Sequence, residues 1–132
     1  MAVLPISLAL IICDHVWRDP ITGKLTILGT FADLLVTELP AVVPQLTVYM
    51  ALTDAHGTVP IKIQLIDSAE AIEEPIGVSE LELEFDTLLA TIEAVAVLND
   101  VSFPSEGEYR LQIYVREQLL IERRIVVNVY RE

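Results

Sequence analysis

The residue types with the most reactive chemistry in this 132-residue chain gather near its start. The single cysteine, Cys13, lies two residues before His15, so on a β-strand both side chains would face the same side. Such a pair could contribute two metal ligands or act as a nucleophile with its base. A metal site needs three or four ligands, however, and only Asp14 and Asp19 lie close in sequence. A buried cysteine that serves as a small core residue is the simpler interpretation.

Aspartates at the ends of predicted strands offer a second kind of site, because carboxylate oxygens bind calcium. These residues are Asp54, Asp67, Asp86 and Asp100. None has the D-x-D spacing that supplies several oxygens from one loop, and capping of turns explains them equally well. We therefore predict no catalytic residue, no metal ligand and no cofactor, and cation binding by an acidic loop stays an open alternative.

The overall charge excludes two classes of partner. The formal net charge is -12, which disfavours nucleic acids and anionic lipid surfaces because both attract basic proteins.

A single cysteine allows no disulfide within the chain and is typical of a reducing compartment, so we expect a cytoplasmic protein. The apolar start, MAVLPISLALIIC, resembles a lipoprotein signal, but it lacks a basic region and has the bulky Ile12 before the cysteine.

Alternation of apolar and polar residues predicts an all-β chain. It favours one domain over residues 1–132, an immunoglobulin-like antiparallel β-sandwich of about seven to eight strands. The first strand, Ile6–Cys13, is apolar throughout, as expected for a strand covered on both faces or central in a sheet. The other predicted strands are Leu25–Gly29, Gln45–Thr53, Thr58–Ile66, Ile76–Phe85, Glu108–Val115 and Leu119–Tyr130. Residues 31–39 are open between helical and irregular structure, and residues 87–98 between helical and extended, with a strand favoured.

Three connections carry turn signals. Asp19–Gly23 has the proline and glycine of a tight turn, and Pro40 and Pro44 are expected to bracket a loop. Glu117-Gln118 is a poor pair for the two-residue hairpin turns that need positive φ. We therefore expect a longer loop there.

Exposed aromatic and basic residues are the candidates for contacts with a partner. Trp17 with Arg18, and the tyrosines predicted on outward faces, would form such a surface; alternatively, Trp17 closes one end of the core. Outward apolar residues would also call for a partner or a covering segment, namely Ile66, Val95, Val97, Leu120 and Val126. The predicted contact residues are Trp17, Arg18, Asp19, Lys24, Tyr114, Arg116, Arg124 and Tyr130.

The charges are unevenly distributed along the chain. No Lys or Arg lies between Lys62 and Arg110, whereas five of the eight basic residues lie from Arg110 onward. The alternating segment around Glu80, Glu82 and Glu84 predicts an exposed acidic row. These opposite charges, and the length of Leu119–Tyr130, suggest a homodimer formed through that last strand, by its edge or by its face.

Three motifs resemble an uncharacterised family of small bacterial proteins, known only as a domain of unknown function. They are I-C-D-x-V and T-G-K within Ile12–Phe31, V-Y-x-x-L-T-D-x-x-G at Val48–Gly57, and F-P-x-x-G-x-Y-x-x-x-I-x-V at Phe103–Val115. The resemblance covers nearly the whole chain and implies a bacterial all-β protein, without an activity or a cofactor. From the residues we expect a non-enzymatic binding or assembly module acting through protein–protein contacts. The alternatives are a small-ligand carrier with a cavity between the sheets, or a hydrolase.

Overall fold

A computed structural model describes residues 4–69 and 74–131, and it contains two β-sheets. Its strands are β1 Ile6–Arg18, β2 Leu25–Thr30, β3 Asp33–Val36, β4 Ala41–Thr53, β5 Gly57–Asp67, β6 Gly77–Phe85, β7 Ile92–Phe103, β8 Gly107–Val115 and β9 Gln118–Val129. The four-stranded sheet has the order β2-β1-β4-β7, and the five-stranded sheet has the order β3-β9-β8-β5-β6. The predicted all-β sandwich is confirmed, with nine strands in the described residues instead of seven or eight.

The strand that the sequence did not resolve is β3. It lies in the segment left open between helical and irregular structure, and it pairs in parallel with β9, Leu34 opposite Val127. The other pairings of the described strands are antiparallel, as predicted. The exception arises because the chain crosses from the four-stranded to the five-stranded sheet after β2. Four residues are too few for alternation to be told from a helical turn.

The core lies between the two sheets. As predicted from alternation, β4 and β8 each turn one side inward, and the inward residues are buried: Leu46, Val48, Met50 and Leu52 from β4, and Tyr109, Leu111, Ile113 and Val115 from β8. Each such aliphatic side chain contributes about 1.5–3 kcal/mol through burial. At one end, the rings of Phe103 and Tyr109 meet edge to face, with centroids 4.9 Å apart.

Two strands are longer than the sequence predicted. β1 continues past Cys13 to Arg18, because beyond Cys13 it still pairs with β2. β4 begins at Ala41, so Pro44 lies within a strand and not at the end of a loop. The chain accommodates Pro44 between the pairs Val43–Val101 and Gln45–Asn99, where Asp100 of β7 has a positive φ of 51°. In the segment 87–98 the strand that we favoured begins at Ile92.

The expected long loop between β8 and β9 is wrong. Val115 pairs with Gln118, which leaves only Arg116 and Glu117 as a two-residue turn. Both have positive φ, 49° and 69°, as a type I′ hairpin turn requires. Neither residue favours this conformation, so the long β8–β9 pairing on either side of the turn imposes it. Of the acidic loop that follows β5, residues 70–73 lie outside the described residues.

Candidate functional site

The outward side of β1 is apolar except at His15. Leu10 and Ile12 point into the core, so the alternate residues face away from the five-stranded sheet. A bulge between Ser7 and Ala9 adds Leu8 to that outward side. The outward residues of β1 are Ile6, Leu8, Ala9, Ile11, Cys13, His15 and Trp17. β1 therefore has a second apolar side, on which Cys13 is buried by its neighbours while Ile6, Leu8 and Trp17 are exposed.

Neighbouring strands extend this surface in rows across the sheet. Ile11 lies opposite Tyr49 of β4, which lies opposite Val95 of β7. In the next row, Cys13 of β1 lies opposite Thr47 of β4, which lies opposite Val97 of β7. On the other side of β1, Leu28 of β2 lies opposite His15. We call the resulting surface the apolar face, and define it by Ile6, Leu8, Ile11, Trp17, Leu28, Tyr49, Val95 and Val97.

One carboxylate lies among the residues of the apolar face. It belongs to Glu93 of β7, whose neighbour across the sheet is Ala51 of β4, itself opposite Ala9 of β1. It accepts a hydrogen bond from the Tyr49 hydroxyl. Desolvation by burial, reinforced by this bond and the adjacent charge, raises the pKa of Tyr49 to about 12. The phenol is neutral at physiological pH, as an ordinary tyrosine also is, and Glu93 is the one carboxylate among these residues in a chain whose net charge is -12.

The outer side of the five-stranded sheet has the opposite character. Arg110 bridges Glu108 and Glu122, and the Arg124 Nε lies 2.6 Å from a Glu108 oxygen. Gln112 donates to Glu122 at 3.0 Å and accepts from Gln64 at 2.8 Å. The predicted acidic row on β6 is exposed on this side. The two outer surfaces of the sandwich therefore differ sharply, one polar and ion-paired, the other apolar.

A depression of about 630 Å³ lies on this polar side. Its lining includes Lys62, Glu80, Glu82, Tyr114 and Arg116. It opens on the outside of the five-stranded sheet and does not lie between the sheets. It is therefore not the interlayer cavity that the ligand-carrier alternative requires.

Four of the predicted contact residues lie together in the β1–β2 hairpin. Trp17 is 49% exposed on the apolar face, so the interpretation that it closes one end of the core is wrong. Arg18 donates to the Gly23 carbonyl at 3.1 Å. The Asp19 carboxylate accepts from the Ile21 amide at 2.9 Å, and this bond lowers its pKa. Lys24 follows the turn and donates its amide to the Thr22 hydroxyl.

The other four contact residues lie elsewhere. Tyr114 and Arg116 line the depression, and Arg124 belongs to the ion-pair network on the same side. Tyr130 follows β9, where its amide donates to the Val36 carbonyl at 2.7 Å. The structure therefore divides the predicted set between the hairpin, the polar side and the end of β9.

The long last strand, β9, lies between β8 and β3. β3 occupies its free edge only from Val126 to Val129. Arg110 and Arg124 are already paired with glutamates of their own chain. The homodimer that we expected through this strand therefore stays a prediction, with fewer free charges to support it.

The residues that suggested chemistry in the sequence do not form a reactive pair. Cys13 is fully buried, and burial, with the neighbouring Asp14 charge, raises the pKa of its thiol. A raised pKa disfavours the thiolate that a nucleophile or a metal ligand needs. Within residues 4–69 and 74–131, no three His, Cys, Asp or Glu side chains converge as a metal site would require. The Asp67 carboxylate caps its own turn by accepting from the Ala69 amide at 2.9 Å.

Sequence reasoning noticed Val95 and Val97 but missed that β1 contributes half of the residues that define the apolar face. The signal was the unbroken apolar run, which indicated a strand covered on both faces. Ile66, also expected outside, is covered within the sheet and only 2% exposed.

Residues 8–128 match a family described as a family of unknown function (DUF6941). The chain belongs to this family. No curated protein matches the chain. Among the described residues, no helix is long and apolar enough to cross a membrane.

Three solved structures resemble the fold of this family member at low sequence identity. An immunoglobulin-like protein from Pseudomonas aeruginosa is 12% identical, with a TM-score of 0.45, covering 89% of this chain and 91% of that one. A β-D-glucoside glucohydrolase from Trichoderma reesei is 14% identical, with a TM-score of 0.48, covering 95% of this chain and 19% of the enzyme. A β-glucosidase from Bifidobacterium adolescentis is 11% identical, with a TM-score of 0.42, covering 90% of this chain and 17% of the enzyme. The strand order of the two sheets shows an all-β sandwich.

Proposed function

We propose that this protein is a non-enzymatic binding module that acts in assembly through protein–protein contacts made by its apolar face. One observation carries this proposal: the large exposed hydrophobic side chains Ile6, Leu8, Trp17, Leu28 and Val95 lie on one outer surface. Contiguous apolar patches of this kind are typical of interaction sites. Antiparallel sheets with a solvated face normally alternate apolar and polar residues, and β1 does not.

The contact residues that we predicted near the hairpin fit this proposal. Trp17 lies on the apolar face, and Arg18 and Lys24 lie at its end, where a polar rim normally surrounds an apolar centre. Large aromatic and Arg side chains contribute disproportionately to binding energy. A partner would therefore bury Trp17 and keep the two basic residues at the margin.

The setting that we propose is the cytoplasm of a bacterium. The single, fully buried cysteine supports a reducing compartment, and the resemblance of the motifs supports a bacterial source. The net charge of -12 supports a protein partner over nucleic acid or an anionic membrane surface.

Photo-crosslinking tests the proposal directly. A benzophenone amino acid would replace Val95 on the apolar face or, as the matched control, Val78 on the outer side of the five-stranded sheet; both valines are exposed. We expect a discrete adduct from Val95 in the source organism and none from Val78. Equal adducts at both positions, or no adduct from Val95, would show that the apolar face does not bind a protein.

A further inference from the structure

We propose that the partner of the apolar face is a second copy of this chain. Two four-stranded sheets would pack face to face about a two-fold axis, with their strands running in opposite directions. The inference rests on the proposed function, because it names the occupant of the same surface. Three features of the face support it: its shape, its charges and its size.

The shape of the apolar face is self-complementary about Cys13. Cys13 and Thr47 lie opposite one another and are covered by neighbouring side chains, so neither projects from the centre of the face. Trp17 lies four residues after Cys13 and projects, whereas Ala9 lies four residues before it, beside Ala51. A two-fold axis through Cys13, perpendicular to the strands, therefore places each Trp17 over the Ala9–Ala51 pair of the other copy. Large side chains would meet small ones twice, as an isologous interface requires.

The charges at the two ends of the face select the same orientation. Arg18 and Lys24, with the Asp19 carboxylate between them, give the hairpin end a net positive charge, and Glu93 lies beside Ala51 at the other end. With strands antiparallel, the Glu93 of each copy approaches the basic hairpin of the other. With strands parallel, the two hairpins would share one end, and neither Glu93 would have a basic neighbour.

The charge of the whole chain also favours this surface for self-association. Two copies with a net charge of -12 each repel one another. Contact through the outer side of the five-stranded sheet would add the exposed row of Glu80, Glu82 and Glu84 to that repulsion. The apolar face brings only Glu93 from each copy, and the antiparallel arrangement gives that carboxylate a basic neighbour.

The size of the face matches a stable dimer. β1 has 13 residues, which at about 3.4 Å each extend about 44 Å. Four strands about 4.8 Å apart are about 19 Å wide, but β2 has only six residues, so the outer surface of the four-stranded sheet covers roughly 700 Å². Interfaces of standard size bury about 800 Å² on each partner. Sheets that pack in this way keep their strand axes within about 30° and lie about 10 Å apart.

The test is the mass of the purified full chain, measured by sedimentation equilibrium over a range of concentrations. The chain has a mass of 14.7 kDa, and we expect twice that value at micromolar concentration. Val95→Glu and Trp17→Ala should each raise the dissociation constant at least about tenfold, because each alters a buried contact. Val78→Glu, on the polar side, should leave the dissociation constant unchanged. Circular dichroism and thermal melts would show that each variant is folded.

Charge reversal tests the orientation. Glu93→Lys should weaken the dimer, and so should the pair Arg18→Glu and Lys24→Glu. The triple variant with all three changes should recover much of the lost affinity, because it restores opposite charges across the two-fold axis. Failure of the triple variant to recover, while both parents are weakened, would overturn the antiparallel arrangement.

Other results separate this inference from the proposed function. A mass of 14.7 kDa at every concentration, or a dimer that Val95→Glu leaves intact, would overturn the homodimer. If Val95 nevertheless gave a photo-crosslinked adduct with a different protein, the binding function would stand and the partner proposed here would be wrong. An adduct of two identical chains linked through Val95 would support both.

Discussion

The Tyr49 hydroxyl donates a hydrogen bond to the Glu93 carboxylate across the β4–β7 pair. The bond links the one carboxylate of the apolar face to the aromatic residue that β4 contributes to it. It also gives the phenol a titration behaviour that differs from that of a free tyrosine, whose pKa is 10.0.

Titration of the phenol provides the first prediction. Ultraviolet absorbance of tyrosinate should show one group with a pKa of about 12, which is missing in Tyr49→Phe. Glu93→Gln should lower that pKa but not restore the ordinary value, because desolvation is the larger cause and remains. A pKa that is unchanged in Glu93→Gln would show that the carboxylate does not act on Tyr49.

The same shift predicts a dependence of stability on alkaline pH. Because folding raises the pKa of Tyr49, the folded state holds its proton more tightly than the unfolded state. The associated stability is fully present below pH 10 and is lost as the pH rises through about 12. Urea unfolding should therefore show a steeper loss of stability over this interval for the wild type than for Tyr49→Phe, and parallel curves would contradict the prediction.

An acid-sensitive contact ties the end of the chain to the turn before β8. The Glu106 carboxylate accepts from Arg131 at 2.8 and 3.0 Å and from the Val129 amide at 2.7 Å. These bonds lower its pKa from 4.5 to about 2. The resulting stability is present above pH 4.5 and is lost as the pH falls through about 2.

Comparison of wild type with Glu106→Gln by denaturant unfolding would measure this dependence. The wild type should be the more stable above pH 4.5, and the difference should shrink toward pH 2. Arg131→Gln keeps the hydrogen bond from the Val129 amide to Glu106, so this variant should retain only part of the pH-dependent stability. A difference that does not change with pH would rule out the carboxylate as its origin.

A close approach within the hairpin makes Gly29 sensitive to substitution. Its φ is +70°, and a Cβ atom there would lie 2.3 Å from an Asp14 carboxylate oxygen. Gly23 has a similar φ of +75° but open space around it. We expect Gly23→Ala to cost about 1–2 kcal/mol through backbone strain alone. Gly29→Ala should cost about 1 kcal/mol more, since the added Cβ collides with Asp14.

The double variant Gly29→Ala with Asp14→Ala is the matched control, because it removes the collision and keeps the strain. Its cost should return to the level of Gly23→Ala, apart from the separately measured effect of Asp14→Ala. Thermal unfolding of the four proteins would settle the point. Equal costs for the two glycine variants would mean that Asp14 does not restrict this position.

Two leucines on opposite sides of β1 test whether the apolar face serves folding or binding. Leu10 is 4% exposed and belongs to the core, whereas Leu8 is 56% exposed. Leu10→Ala should destabilise the monomer by about 2–5 kcal/mol, and Leu8→Ala by at most about 0.5 kcal/mol. Chemical denaturation at protein concentrations below the dissociation constant of the proposed dimer would measure both losses of stability. A large loss for Leu8→Ala would mean that the outward side of β1 supports the fold itself.

Much of the sandwich could be predicted because alternation depends on local sequence. β4 and β8 have one apolar and one mixed side, so their inward residues were identified correctly. β1 has two apolar sides, and alternation then cannot show which is covered; the exposed one became clear only from the partner strands. The Arg116–Glu117 turn was unpredictable for a different reason, because the β8–β9 register imposes a backbone conformation that neither residue favours.

The position of Cys13 makes the only thiol of this protein a reporter of local motion in the apolar face. Its side chain is fully buried at the middle of that face, so a thiol reagent reaches it only when the neighbouring side chains move aside. The ratio of its alkylation rate to that of a free thiol therefore measures the fraction of time that this part of the face is open. A single reactive group gives one kinetic phase, and slowing of that phase at high protein concentration would follow self-association without any added label.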